Sequence, residues 1–92
     1  MTVCSITIVN ALGLHARAAA RFVHTASGFE SRISVSKGGR QVDGKSIMGL
    51  LLLAAARGTL VTISADGADE QDAIAALCEL VASGFGEGVC SD

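Results

Sequence analysis

A histidine followed two residues later by an arginine is the part of this 92-residue chain best suited to covalent chemistry. His15 and Arg17 lie in the segment Gly13-Leu14-His15-Ala16-Arg17. Neutral imidazole is a competent nucleophile near pH 7, because its unperturbed pKa is about 6.5. A phosphoryl group on this nitrogen would form a phosphoramidate, a bond suited to onward transfer. The alternative is that His15 only caps a helix.

The position of His15 favours an anion. Apolar residues recur at three- and four-residue spacing over Ala16 to Ser27, which predicts a helix that begins beside His15 and stops at Gly28. The first turn of a helix presents unpaired N–H groups and the positive end of the helix dipole, and Arg17 adds a fixed positive charge. The anion-binding N–H groups of this turn belong to Ala16, Arg17 and Ala18.

Ser46 is a second candidate for modification. It precedes an apolar run, Ile47 to Arg57, that is interpreted as a helix with Gly58 as its stop, so its first role is that of an N-cap. A phosphate on Ser46 would be stabilised by the helix dipole and would add about two negative charges. The sequence therefore predicts a capping serine that a kinase can modify.

The remaining helices and strands are predicted from the spacing of apolar residues and from residues typical of turns. Alternation predicts a first strand, a Gly-Gly pair predicts a hairpin, and Asp69 is expected to cap a third helix. The resulting order, β-α-β-β-α-β-α, predicts an α+β open-faced sandwich with three helices on one face of a four-stranded antiparallel sheet. We expect one domain over residues 1–84 and a flexible tail over residues 85–92. The predicted segments are Val3 to Val9, Arg32 to Ser36, Arg40 to Asp43, Leu60 to Ala65, and a third helix that ends at Ser83.

Charge and composition limit the partners. Residues 1–57 hold all seven Lys and Arg against Glu30 and Asp43, a net charge of +5, while residues 58–92 carry −7. Without Trp or Tyr and with three Phe, the chain lacks stacking platforms, so nucleic acid is not an expected partner. The longest apolar stretch is ten residues, half the length of a membrane span. No secretory signal is present at the start, and the expected compartment is the cytoplasm.

Three cysteines, Cys4, Cys78 and Cys90, are widely spaced and match neither a disulfide framework nor a zinc motif. They are predicted to be free thiols, with Cys4 and Cys78 buried. No metal and no cofactor are expected.

The second helix also predicts a docking surface. Three apolar residues at spacings of one, three and four are expected to form an exposed patch beside His15, because the starts of the first two helices should be close. A positive rim would speed encounter with acidic proteins and make association sensitive to salt. The patch is assigned to Ile47, Met48 and Leu51, the core to Leu50, Leu53 and Ala54, and the rim to Arg17, Arg21, His24 and Lys45.

Two of these motifs, Gly13-Leu14-His15-Ala16-Arg17 and Gly44-Lys45-Ser46-Ile47-Met48, resemble the histidine-containing phosphocarrier (HPr) family of the bacterial phosphotransferase system. The resemblance covers nearly the whole chain. It implies that His15 is phosphorylated on Nδ1 by phosphorylated enzyme I with the help of Arg17. It implies transfer onward to EIIA-type acceptors by a monomeric carrier that is not itself an enzyme. Ser46 would be the site of a kinase/phosphorylase.

The chain departs from the common family pattern at Ala18, where proline is usual. This favours the nitrogen-related (NPr) branch as an alternative to sugar uptake. Two other classes stay open at this point. One is a small acyl-phosphate hydrolase that uses Asn10 and Arg17, and the other is a regulatory domain that binds a ligand without covalent chemistry.

Overall fold

The computed structural model describes residues 1–86 and contains four strands and three helices in the order β-α-β-β-α-β-α. This confirms the predicted α+β open-faced sandwich. The elements are β1 (Thr2–Thr7), α1 (Ala16–Ala26), β2 (Arg32–Lys37), β3 (Arg40–Asp43), α2 (Ile47–Leu53), β4 (Leu60–Asp66) and α3 (Glu70–Ala82).

The sheet has the strand order β1-β4-β2-β3, and every neighbouring pair is antiparallel. Side chains alternate across it, so that Ile33, Val35 and Ile63 face the core while hydroxyl side chains lie on the other face. On that outer face the hydroxyls of Ser5 and Thr62 lie 3.0 Å apart. The helices cover one side of the sheet only.

The predicted hairpin is present, with Lys37 opposite Arg40 and a two-residue loop between them. Gly38 and Gly39 have φ of +54° and +86°. Two consecutive positive φ angles suit the right-handed twist of the flanking strands, and glycine adopts them without strain.

Helix α2 is shorter than expected. It ends at Leu53 rather than Arg57, because Ala54 turns into the left-handed conformation with φ 53° and ψ 43°. Side chains of the hairpin bind the carbonyls at this helix end: Lys37 Nζ donates to the Leu53 and Ala54 oxygens, each at 3.2 Å. Arg40 donates to the Leu52 oxygen at 3.2 Å. Alanines that favour helix are thus diverted into a connecting segment by tertiary contacts.

The core continues past the predicted domain boundary. The sequence predicts Phe85 to lie in the tail, yet its side chain is fully buried with Phe22, Leu50 and Leu77. Its large apolar surface is the physical reason, since burying a phenyl ring stabilises the fold by about 2 kcal/mol. Residues 87–92 of the expected tail lie outside the described residues.

Two of the cysteines are paired. Cys4 on β1 and Cys78 on α3 form a disulfide, so the prediction of free thiols is wrong for this pair. Both are half-buried rather than buried. Their separation of 74 residues hid the pairing, since α3 packs against β1 only in the folded chain. Cys90 lies outside the described residues.

Within residues 1–86, no helix has both the length and the apolar composition needed to cross a membrane.

Candidate functional site

His15 is the N-cap of α1, as the sequence predicts. Its backbone is extended, with φ −84° and ψ −175°, and its Nδ1 accepts the backbone N–H of Arg17 at 3.3 Å. Because the donor is an N–H, Nδ1 carries a lone pair in this arrangement, and that lone pair points at the first turn of the helix. The side chain is partly exposed. A nucleophilic nitrogen and the helix N–H groups therefore share one accessible point.

A tight turn holds the backbone before His15. The Gly13 N–H donates to the Asn10 carbonyl at 3.1 Å, and the Gly13 carbonyl accepts the His15 N–H at 2.9 Å. Gly13 has φ +67°, and a Cβ there would lie 2.7 Å from the Ala55 oxygen. Only glycine fits, and the close approach lets the Leu14 N–H donate to that same oxygen at 2.9 Å.

The first turn of α1 contains no acidic residue. Ala16 and Arg17 are exposed, whereas Ala18 is fully buried. The positive end of the helix dipole thus lies beside His15 without a compensating carboxylate in its own helix.

The first two helices run antiparallel, and the expectation that their starts lie close together is wrong. At the start of α2, Lys45 Nζ donates at 2.7 Å to the carbonyl of Phe29, which follows α1. The His15 loop instead contacts Ala55, which follows α2. The chain path explains this, since the Gly44 N–H donates at 2.8 Å to Ile33 of β2, and β2 begins where α1 has ended.

The predicted patch residues are exposed: Ile47 by 42 %, Met48 by 67 % and Leu51 by 37 %. Leu52 (61 %) and Leu12 (71 %) are exposed as well, and sequence reasoning missed both. Leu12 stands in the turn before Gly13, a signal that could have found it. The patch begins at Ile47, at the end of α2 remote from His15, and extends along the helix toward Ala55, which contacts the His15 loop.

Three of the four rim residues, Arg17, Arg21 and His24, lie along α1. They line a groove of about 570 Å³ together with Leu80 and Phe85. The Arg21 guanidinium donates a hydrogen bond to the Phe85 carbonyl, which holds the C-terminal turn against α1. Lys45 is not part of this rim, because its ammonium binds at the opposite end of the helix pair.

The core assignment is right for Leu50 and Leu53, which are 0 % and 2 % exposed. It is wrong for Ala54, which is exposed because the helix ends before it.

Ser46 is the N-cap of α2, and its Oγ accepts the Gly49 N–H at 3.0 Å. Since the helices are antiparallel, Ser46 lies at the end of the patch remote from the His15 loop. Among residues 1–86, no group of three or more His, Cys, Asp or Glu side chains is placed to hold a metal ion.

Residues 3–83 match the family model described as the PTS HPr component phosphorylation site. The chain belongs to the PTS HPr family. It is 55 % identical over 84 residues to the phosphocarrier protein HPr of Neisseria meningitidis serogroup B, covering 91 % of this chain and 94 % of that protein.

Solved structures of the HPr family share the fold. The crystal structure of HPr-C-His from Thermoanaerobacter tengcongensis superposes with a TM-score of 0.93 at 49 % identity, covering 97 % of this chain and all of that one. An HPr dimer from the same organism gives a TM-score of 0.76 at 50 % identity, covering 95 % of this chain and all of that one. Family membership makes the chain a phosphocarrier of the phosphotransferase system and not an enzyme on its own.

The hydrolase alternative also conflicts with the geometry. Asn10 is 0 % exposed, and its Nδ2 donates to the Gly13 carbonyl at 2.8 Å. A fully buried amide cannot hold a water molecule against a substrate outside.

Proposed function

We propose that His15 Nδ1 accepts a phosphoryl group from phosphorylated enzyme I and passes it to EIIA-type proteins. The observation that supports this most is the direction of the Nδ1 lone pair, toward the acid-free start of α1. In the transfer a bond forms between Nδ1 and phosphorus, and the phosphorus bond to the donor's leaving atom breaks. The leaving atom keeps the electron pair, and the reverse process delivers the group to the acceptor.

The first turn of α1 is proposed to bind the transferred group. Once Nδ1 is bonded to phosphorus, the Arg17 N–H can donate to a phosphoryl oxygen instead. The N–H groups of Ala16 and Ala18 belong to the same turn, and the exposed Arg17 guanidinium offers further donors. The phosphoryl oxygens are negatively charged throughout the transfer. The N–H groups of this turn and the Arg17 guanidinium can therefore bind the phosphoryl group as it arrives, while it is bonded to His15, and as it leaves.

The apolar patch of α2, with Leu12, is proposed to dock both partners, while Arg17, Arg21 and His24 steer acidic surfaces toward His15. Met48→Ser should therefore raise the KM for phosphorylated enzyme I several-fold with little change in kcat. Leu60 gives a matched control, because it is 59 % exposed but lies on β4, away from the helices. A rise in KM for Leu60→Ser equal to that for Met48→Ser would contradict this assignment.

A phosphate on Ser46 is proposed to regulate docking rather than the chemistry at His15. It would add about two negative charges at the far end of the patch, against acidic partners. A dedicated HPr kinase/phosphorylase would be the modifying enzyme.

The cytoplasm is the proposed compartment. The protein is proposed to be a monomer, which a measurement of its mass in solution at working concentration would check.

The sugar-uptake branch is proposed rather than the nitrogen-related branch. The shared name of the relatives, phosphocarrier protein HPr, supports this choice. Comparing transfer from the phosphorylated chain to a sugar-specific and to a nitrogen-related EIIA protein would distinguish the branches.

Labelling tests the central proposal. The chain is incubated with enzyme I and phosphoenolpyruvate, and acid-labile phosphate is separated from acid-stable phosphate. We expect one acid-labile phosphate per chain in the wild type, and none in His15→Ala. His24→Ala is the matched control, since His24 is an exposed histidine on the same helix, and it should retain full stoichiometry. Acid-labile label that survives in His15→Ala would overturn the assignment.

Incubation with the kinase and ATP tests the second site. Acid-stable label should appear in the wild type and be absent in Ser46→Ala. No acid-stable label in the wild type would remove the regulatory proposal and leave the carrier role intact.

A further inference from the structure

We infer that Asn10 is a positioning residue for His15, acting through the Gly13 carbonyl. The expected effect on phosphoryl transfer rests on the proposed carrier function. The positioning of His15 itself is argued from the hydrogen bonds around one peptide group.

The peptide that joins Gly13 to Leu14 is held on both sides. Its carbonyl accepts two donors, the Asn10 Nδ2 at 2.8 Å and the His15 N–H at 2.9 Å. Its N–H, on Leu14, donates to the Ala55 carbonyl at 2.9 Å. A carbonyl oxygen has two lone pairs, so both of its acceptor positions are used. The peptide plane, and with it the direction of the next backbone N–H, is therefore fixed.

Asn10 is suited to this task because it is rigidly placed. Its side chain is 0 % exposed, and its own carbonyl accepts the Gly13 N–H at 3.1 Å, closing the turn. Main chain and side chain of one residue thus bind the two polar groups of Gly13. Loss of the side-chain donor would leave the Gly13 carbonyl with the His15 N–H alone, so that two hydrogen bonds instead of three resist rotation of the peptide.

Rotation of this peptide would move the imidazole. His15 is bonded on one side to the Gly13 carbonyl and on the other to the Arg17 N–H through Nδ1. Transfer between two nitrogen or oxygen atoms depends on alignment of the attacking lone pair, and a displacement of about 1 Å can slow a reaction by on the order of 100-fold. The docking residues on α2 are untouched by the change.

The test compares Asn10→Leu, which has similar volume but no donor, with the wild type. Amide hydrogen exchange measured by NMR should show the His15 N–H losing protection by about tenfold or more. With phosphorylated enzyme I, kcat should fall by on the order of 10-fold to 100-fold while KM stays within about twofold.

Ser31→Ala is the matched control, because Ser31 is the other buried polar residue among residues 1–86 and bonds to Asp69, away from the His15 loop. It should lower stability without changing His15 protection or kcat. Asn10→Asp adds a rescue: the ionised carboxylate cannot donate, but its protonated form can, so His15 protection should return as the pH falls.

Unchanged protection of the His15 N–H in both variants would overturn the inference, as would an equal loss of kcat in Ser31→Ala. If Asn10→Leu does not fold, the pH-dependent protection in Asn10→Asp decides. If neither variant folds, an unprotected His15 N–H in the wild type refutes the hydrogen-bond chain and a protected one supports it. A wild type that takes no label at His15 would refute the carrier proposal, while the exchange data would still test the role of Asn10.

Discussion

Helices α1 and α3 begin in opposite ways. The start of α1 has no acidic residue, and its N-cap is a histidine with a 3.3 Å hydrogen bond. The first turn of α3 carries Glu70 and Asp72, and its N-cap is Asp69. Asp69 makes no capping bond, contrary to the sequence prediction. Its carboxylate instead accepts the backbone N–H groups of Glu30 at 2.9 Å and Ser31 at 3.0 Å.

Two carboxylates at the start of α3, those of Asp69 and Glu70, have lowered pKa values and are held in their charged form. The Ser31 hydroxyl, followed by the Glu30 N–H, lowers the pKa of Asp69. The Thr2 hydroxyl, the terminal ammonium and the Gly67 N–H lower the pKa of Glu70 to about 2. The positive end of α3 is thus compensated by the chain's own carboxylates, which tie it to the sheet. The comparison shows why the start of α1, unlike that of α3, is open to an incoming anion.

The largest expected effect comes from giving α1 the acid that α3 has. Ala16→Glu places a carboxylate in an exposed first-turn position, which should stabilise the helix by up to about 1 kcal/mol. The same charge repels the phosphoryl group, so transfer to His15 should slow by on the order of 10-fold to 100-fold. Single-turnover transfer and denaturant unfolding measure the two effects.

Ala16→Gln separates charge from shape and should transfer at nearly the wild-type rate. Equal slowing by Gln and Glu would mean that the uncompensated dipole is not what distinguishes the two helices.

The second prediction removes an acid from α3. Asp69→Asn leaves at least one N–H of the Glu30–Ser31 segment facing an amide NH₂, so stability should fall at pH 7. A carboxyl group whose pKa is lowered by folding contributes its full stabilisation at any pH above its pKa in the unfolded chain, which is about 4. This stabilisation is lost as the pH falls through the pKa of the folded protein. The difference in free energy of unfolding between wild type and variant should therefore shrink below pH 4. A difference that stays constant from pH 7 to pH 2 would argue against this.

Helix α2 lies between these cases, with a neutral cap. Ser46→Ala removes the acceptor of the Gly49 N–H and should cost about 1 kcal/mol, less than Asp69→Asn. Ser46→Asp keeps an acceptor and should recover most of the loss. Urea denaturation measures both, and a Ser46→Asp variant as unstable as Ser46→Ala would show that the cap bond contributes little.

The smallest effect is expected at Ala18. Ala18→Pro removes one N–H from the anion-binding turn while the first turn tolerates proline, so folding should persist. Hydrolysis of phosphorylated His15 should speed up a few-fold, followed as loss of acid-labile phosphate over time. An unchanged or slower rate would show that this N–H does not bind the phosphoryl group.

Local features were predictable from the sequence because they depend on neighbours in the chain. Three features depend only on residues that are close in the sequence, and the structure contains all three. They are the helical spacing of apolar residues over 16–27, the end of that helix before Gly28, and the Gly38-Gly39 loop. The position of His15 at a helix start follows from the same local signals.

Features set by distant contacts were missed. Nothing near Ala54 shows that Lys37 binds the helix end there, so α2 was predicted too long. The antiparallel run of α1 and α2 depends on the path through the hairpin, and the Cys4–Cys78 pairing depends on the docking of α3. Asn10 reads as a turn residue, and its bond to Gly13 appears only in three dimensions.

The single location of His15 has a kinetic consequence. The molecule exposes 4845 Å², and a standard protein interface covers about 800 Å² on each partner. Two proteins that must each bring a reacting atom to the same partly exposed nitrogen cannot occupy that area together. With His15 as the proposed site of phosphorylation, donor and acceptor are expected to bind in turn, so that the carrier leaves the first before it meets the second. Steady-state transfer through it should show ping-pong kinetics, with acceptors competing directly with enzyme I for the carrier.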